Sequence, residues 1–126
     1  MKIATRDSAG SVTETLERLK GLIAAKGLKL FTVIEHDAAA ADAGLSMPPA
    51  KVVIFGNPVT GTPLMIASPL LALDLPMKIL IWQDASGGTR ISHGDVAELQ
   101  ERHALTDEQA APLRGVEVLA AAASCT

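Results

Sequence analysis

Apolar residues recur at helical spacing early in the chain and then change period. Val12, Leu16, Leu19 and Ile23 fall on one helical face, with Glu17, Arg18 and Lys20 on the other. Ser11-Val12-Thr13-Glu14 has the form of a capping box: the serine side chain accepts from a first-turn N–H while the glutamate reaches back to the serine N–H. Gly27 supplies the stop. Ahead of this helix, Lys2 to Arg6 alternates weakly and reads as an edge strand. Behind it, Leu28 to Glu35 alternates and is rich in β-branched residues, which predicts a second strand. Asp37 then stands as N-cap to the alanine run from Ala38 to Ala43, closed by Gly44.

Pro48 and Pro49 force an extended entry into Lys51-Val52-Val53-Ile54-Phe55, an apolar run that predicts a strand covered on both faces. Gly56 to Gly61 is dense in turn formers, and Thr62-Pro63 has the form of an N-cap with proline at the first helical position. Ser68-Pro69 repeats that signature, so a kink or restart is expected there. Asp74-Leu75-Pro76 ends the segment and delivers Met77 to Trp82, a further strand. Asp84 to Gly88 reads as a hairpin turn into Thr89 to Ser92. Asp95 caps a short helix through His103, and Thr106 to Gln109 opens a terminal helix over about 106–123. This interleaving predicts one α/β (α+β) domain over residues 1–126, a small mixed sheet of four to five strands packed with helices.

Composition narrows the partners. A chain of 126 residues with 48% hydrophobic content suits one core and excludes disorder. A net charge of -3 excludes a strongly basic nucleic-acid binder, and 2% aromatics exclude a stacking platform for single strands. The apolar stretch from Leu64 to Leu73 is interrupted by Ser68 and Pro69 and is shorter than the roughly 18 residues of a spanning helix, so no membrane partner is expected. The first residues carry charge and no apolar h-region, and Cys125 is the single cysteine. Both features fit a cytoplasmic protein.

The succession of His36, Ala38 to Leu45, Pro49, Phe55-Gly56-Asn57-Pro58, Gly61-Thr62-Pro63-Leu64-Met65 and Asp74-Leu75-Pro76-Met77-Lys78 resembles the domain of unknown function 302 family, over about residues 28–103. Its most specific part is Gly-Asn-Pro, Gly-Thr-Pro and Asp-Leu-Pro in this order. The resemblance implies a small α/β domain that pairs as a homodimer, with no assigned activity. His93 departs from the pattern, which more often carries a tyrosine at that place. The segment beyond Leu105 lies outside the resemblance.

Chemistry-bearing residues are few. The loop from Gly56 to Thr62 feeds N–H groups toward a helix start, an anion site in principle, but it has neither the lysine of a P-loop nor a dinucleotide fingerprint. The plainer reading is a rigid turn in which the Asn57 side chain bonds nearby backbone. His36 beside Asp37 suggests a general base, although neighbours on a strand point to opposite faces and Asp37 has a structural task as a cap. Asp74 reads first as a turn cap, and Lys78 as a solvent-facing residue or a partner for a ligand carboxylate. Met47, Met65 and Met77 read as core filler. Trp82 is placed in or at the rim of the core with one partner for its indole N–H. His36, His93, His103 and Cys125 lack metal-ligand spacing, and no serine sits in a nucleophile elbow; neither metal nor cofactor is expected.

Two functions of different class follow. The first is a non-catalytic binding or interaction module that works as a homodimer, because a small apolar-rich domain readily uses spare apolar area between subunits. The second is a small-molecule, anion-type sensor or enzyme whose pocket gathers His36, Gly56, Asn57, Thr62, Asp74 and Lys78 at strand ends, with His36 as acid or base.

Overall fold

Capping boxes form at Ser11 and, through Thr106 and Gln109, at the start of the C-terminal helical segment. Glu14 N–H donates to Ser11 Oγ and Ser11 N–H to Glu14 Oε1, each at 3.0 Å, at the head of α1 (Val12–Ala25). Its buried stripe is Val12, Thr15, Leu16, Leu19 and Ile23, and Gly27 takes a φ of 68° just past its end, where a side chain would strain the backbone. The computed structural model describes residues 1–126. Its strands are β1 (Ile3–Ser8), β2 (Lys29–Glu35), β3 (Ala50–Gly56), β4 (Met77–Gln83) and β5 (Thr89–Gly94). Its other helices are α2 (His36–Asp42), α3 (Pro58–Ala67), α4 (Val96–Arg102), α5 (Asp107–Ala110) and α6 (Gly115–Ala123), with 3-10 turns at Pro69–Leu73 and Ala111–Arg114. This is the α+β architecture that the alternation of patterns predicts.

The strands form one sheet in the order β1-β5-β4-β3-β2. It is antiparallel throughout, not mixed. Short helices that interrupt strands suggest parallel crossovers, but α2 and α3 return the chain to the end of the sheet it left, so β2–β3 and β3–β4 pair as neighbours of opposite direction. Only α1 carries the chain across the sheet, from one edge strand to the other.

Side chains of successive strand residues alternate between faces. Val53, Phe55, Ile79, Ile81 and Ile91 share one face and are essentially buried. They pack with Leu16, Leu19 and Ile23 of α1 and Val116, Leu119 and Ala120 of α6 in a single core. Thr5, Ile34, Val52, Ile54, Lys78, Leu80, Trp82 and Arg90 share the other face, where Ile34 is 41% exposed and Val52, Ile54, Leu80 and Trp82 are half-buried. The run from Lys51 to Phe55 is therefore covered on one face only, contrary to the expectation from its unbroken apolarity. The helices all gather on the first face or beyond the strand ends, so half of that run is left to solvent.

Three local readings change. Asp37 does not cap α2, which starts one residue earlier at His36 behind an uncapped Glu35; its carboxylate instead accepts from Ala50 N–H at 3.2 Å and Lys51 Nζ at 3.1 Å. The helix expected at Thr62 opens at Pro58, with Asn57 as its cap and Pro63 inside it. Asn57-Pro58 carries the same cap-then-proline signature as Thr62-Pro63, and the earlier copy wins. The terminal helix breaks at Ala111–Arg114, where Pro112 leaves no N–H for a regular ladder.

One stability prediction follows from α1. Gly21 is exposed, helical and has open space where a Cβ would project. Gly21→Ala is expected to stabilise the chain by about 1 kcal/mol, a rise of about 3–5 °C in a thermal melt. A lowered melting temperature would contradict this environment.

Candidate functional site

The chain ends β3 at Gly56 and turns at once into α3. Asn57 makes that turn: its Oδ1 accepts from Val59 N–H at 3.0 Å, while its carbonyl accepts from Gly61 N–H at 2.8 Å. Opposite this corner, Phe31 is the extra residue of a bulge in β2, because Leu30 pairs with Phe55 and Thr32 with Ile54. The bulge leaves the Phe31 ring 45% exposed, with Lys29 Nζ 4.9 Å from its centroid. A cavity of about 420 Å³ opens among this corner, the loop before β4 and the start of α6. Phe31, Phe55, Met65, Leu75, Met77 and Val116 give it an apolar wall, and Lys26, Asn57, Thr60 and Thr62 are its polar side chains.

Of the residues singled out in the sequence, Gly56, Asn57 and Thr62 come together here. Asp74 and Lys78 line a second cavity, of about 320 Å³, which runs from α4 onto the open sheet face at Val52 and Leu80. His36 lines neither and is exposed. It follows Glu35, which pairs with Lys51, whereas Asn57 follows Gly56, which pairs with Lys29. At about 3.3 Å per residue along β3, the two ends lie roughly 17 Å apart, well outside hydrogen-bond reach. The single pocket expected at the strand ends is thus two cavities and a separate histidine.

The second cavity borders an ionic network. Arg102 donates to Asp74 Oδ2 at 2.9 Å and to Glu98 Oε1 at 2.9 Å, and His103 Nε2 meets the same Asp74 oxygen. Asp74 therefore clamps α4 onto the loop before β4 rather than capping its own turn. Its carboxyl lies below the ordinary value because of the His103 hydrogen bond, against a burial cost, with Arg102 adding to the effect. Asp84 does the same for the hairpin: Ser86 Oγ, Gly88 N–H and Arg90 hold its carboxyl at about 2. At Asp37, burial opposes ionisation, but the Lys51 ammonium and Ala50 N–H outweigh it and the carboxyl is lowered.

Other residues have structural tasks. The Trp82 indole N–H donates to Ser92 Oγ at 2.9 Å, the single partner foreseen for it. His93 is buried, with Nδ1 2.9 Å from the Gly94 carbonyl. Arg18, which reads as a solvated helix residue, instead ties three segments: its Nε donates to Ala123 O at 3.0 Å, and its guanidinium also meets Ser8 Oγ and Ala9 O. Its signal in the sequence is only its position one residue before Leu19, at the border of the buried stripe. No three His, Cys, Asp or Glu side chains are grouped as a metal site would require.

A family model described as domain of unknown function DUF302 matches residues 4–121, from β1 into α6. The fluoride-specific ion channel FluC 1 of Brucella suis biovar 1 (strain 1330) is 42% identical over 103 residues, which are 82% of this chain and 41% of that protein. The fluoride-specific ion channel FluC 2 of Brucella melitensis biotype 1 is also 42% identical over 103 residues, 82% of this chain and 38% of the relative. The chain thus spans about two fifths of the length of these curated relatives. A crystal structure of an uncharacterized conserved protein DUF302 from Bacillus stearothermophilus superposes with a TM-score of 0.80 at 21% identity, covering 98% of this chain and 96% of that one. It has the same fold.

The lowered carboxyls make a pH prediction. Asp74 and Asp84 bind protons less readily folded than unfolded, so their stabilisation is present above the ordinary carboxylate range and is lost as pH falls below it, toward about 2 for Asp84. Thermal melts are expected to drop across that window, and Asp84→Asn to reduce the drop. An identical pH profile in the variant would contradict the assignment for Asp84.

Proposed function

The chain belongs to the DUF302 family, and on that premise we propose that it is a binding and interaction module that works as a homodimer, with no catalytic set of its own. The observation that carries this reading is the uncovered sheet face. Five strands spaced about 4.8 Å apart and some 20 Å long offer about 500 Å² per copy, so two copies bury on the order of 1,000 Å². That is the lower bound for a specific interface, and two sheets packed face to face form a familiar sandwich.

The half-buried apolar centre of the face favours a second copy. Lys78 stands at one end, bordered by Asp74, Asp95, Glu98 and Arg102, and Asp7, Asp84 and Arg90 stand at the other, so both ends carry charges of either sign. A two-fold axis lying in the interface and perpendicular to the strands lets Val52, Leu80 and Trp82 of the two copies meet in the middle.

A second reading, a small-molecule sensor, is supported by the cavity at Gly56, Asn57 and Thr62, whose size lies within the roughly 300–1,000 Å³ of ligand sites. An acid–base role for His36 draws no support from its place at the far end of β3. Fluoride conduction is not carried over: about three fifths of each channel relative lies outside the match, and no helix here is long and apolar enough to cross a membrane. A domain of this kind would serve such a protein as an attached binding or dimerising unit.

Sedimentation velocity at micromolar concentration is expected to give twice the 13.1 kDa chain mass. Leu80→Lys, on the open face and half-buried within one chain, is expected to return the single-chain mass with an unchanged circular dichroism spectrum. A wild-type protein that sediments as one chain would overturn the dimer.

A further inference from the structure

We infer that the 420 Å³ cavity takes a small amphipathic monoanion, with its apolar body between Phe31 and Val116 and its head group on the Lys26 ammonium. The inference rests on the sensor reading of that cavity and adds the chemistry of its ligand. Its first support is charge. The chain carries 14 acidic and 11 basic residues, yet the cavity lining holds one lysine and no aspartate or glutamate. Lys26 is exposed; like Lys2, Arg6, Arg18, Lys29 and Lys78 it forms no ion pair within the chain, and it is the one of these that lines this cavity. A cation bordering an apolar hollow with no counter-charge favours an anionic head group and disfavours a cationic one.

The second support is the set of donors. The Asn57 Oδ1 is engaged by Val59 N–H, which leaves its amide NH2 as the free end of the side chain. The Thr62 hydroxyl has no partner in the chain and lines the same cavity. Both can donate to an oxyanion.

The third is space. Gly56, Gly61 and Gly115 line the cavity, and their missing side chains help to open it. A Cβ at Gly61 meets nothing closer than Leu75 Cδ1 at 3.9 Å, and one at Gly115 meets nothing within 4 Å. Neither glycine has a positive φ, so its backbone does not demand glycine. The hollow is open at two positions where a Cβ fits without strain.

Sodium octanoate, 1-octanol and octylammonium chloride, titrated into the intact chain and followed by amide NMR shifts, test this. Octanoate is expected to move the Gly56, Asn57, Gly61 and Val116 signals and to bind about threefold to tenfold tighter than octanol, with octylammonium weakest. Lys26→Gln is expected to remove the advantage of octanoate and leave octanol unchanged. Gly61→Leu is expected to abolish both without lowering the melting temperature; should it unfold the chain, Gly115→Leu replaces it. Octanol binding as tightly as octanoate, or an unchanged octanoate affinity in Lys26→Gln, overturns the inference and leaves the cavity a ligand site. If none of the three probes moves those amides, the sensor reading fails and the inference fails with it.

Discussion

The rest of the molecule depends on the burial of one sheet face by two helices. Five strands at about 4.8 Å spacing make a surface roughly 24 Å wide, and two helices of about 10 Å diameter lying side by side cover it once. Two elements lie on this face, the 14-residue α1 and the 9-residue α6, while the 10-residue α3 sits past the end of β3. The remaining helices are short or displaced past the strand ends. The fully buried Val53, Ile79, Ile81 and Ile91 each contribute roughly 1.5–3 kcal/mol by leaving water, and Arg18 holds the two helices and β1 in register at their ends. Nothing is left over to roof the second face.

The same shortage shapes the cavity. Pro112 breaks the run into α6, so the helix starts at Gly115, and Gly115 and Val116 line the cavity across from Asn57, Gly61 and Thr62. On the other side, the bulge at Phe31 leaves that residue unpaired in the ladder and lining the cavity. An apolar hollow results at the Gly56 end of β3, while the opposite end is sealed by the Asp37–Lys51–Glu35 ion pairs. The two ends of a single strand thus have different chemistry, one suited to a ligand and the other to structural charge pairing.

Much of the scaffold is legible in the residue pattern because local chemistry decides it. The capping boxes at Ser11 and Thr106, the stop at Gly27, the restart at Ser68-Pro69 and the indole partner of Trp82 each follow from interactions within a few residues or one strand pairing. What pattern alone misses is set at a distance. Asn57-Pro58 and Thr62-Pro63 are equal as local cap signals, and only the abrupt end of β3 selects the first. The unbroken run at Lys51–Phe55 looks doubly buried because composition does not count the helices available to cover it. His36 and Asn57 look like companions at strand ends, but they occupy opposite ends of the sheet once β2 and β3 pair antiparallel. Arg18 reads as surface charge because its partners lie at the other terminus of the chain.

Trp82 is the only tryptophan, and it lies on the open face. Its emission therefore reports directly on whether that face stays in water. Over a dilution series from micromolar to nanomolar concentration, the emission maximum is expected to move to longer wavelength as copies separate and Trp82 becomes more hydrated. A maximum that stays fixed at an exposed-indole wavelength at every concentration would contradict it, because the uncovered face would then be an ordinary solvated surface.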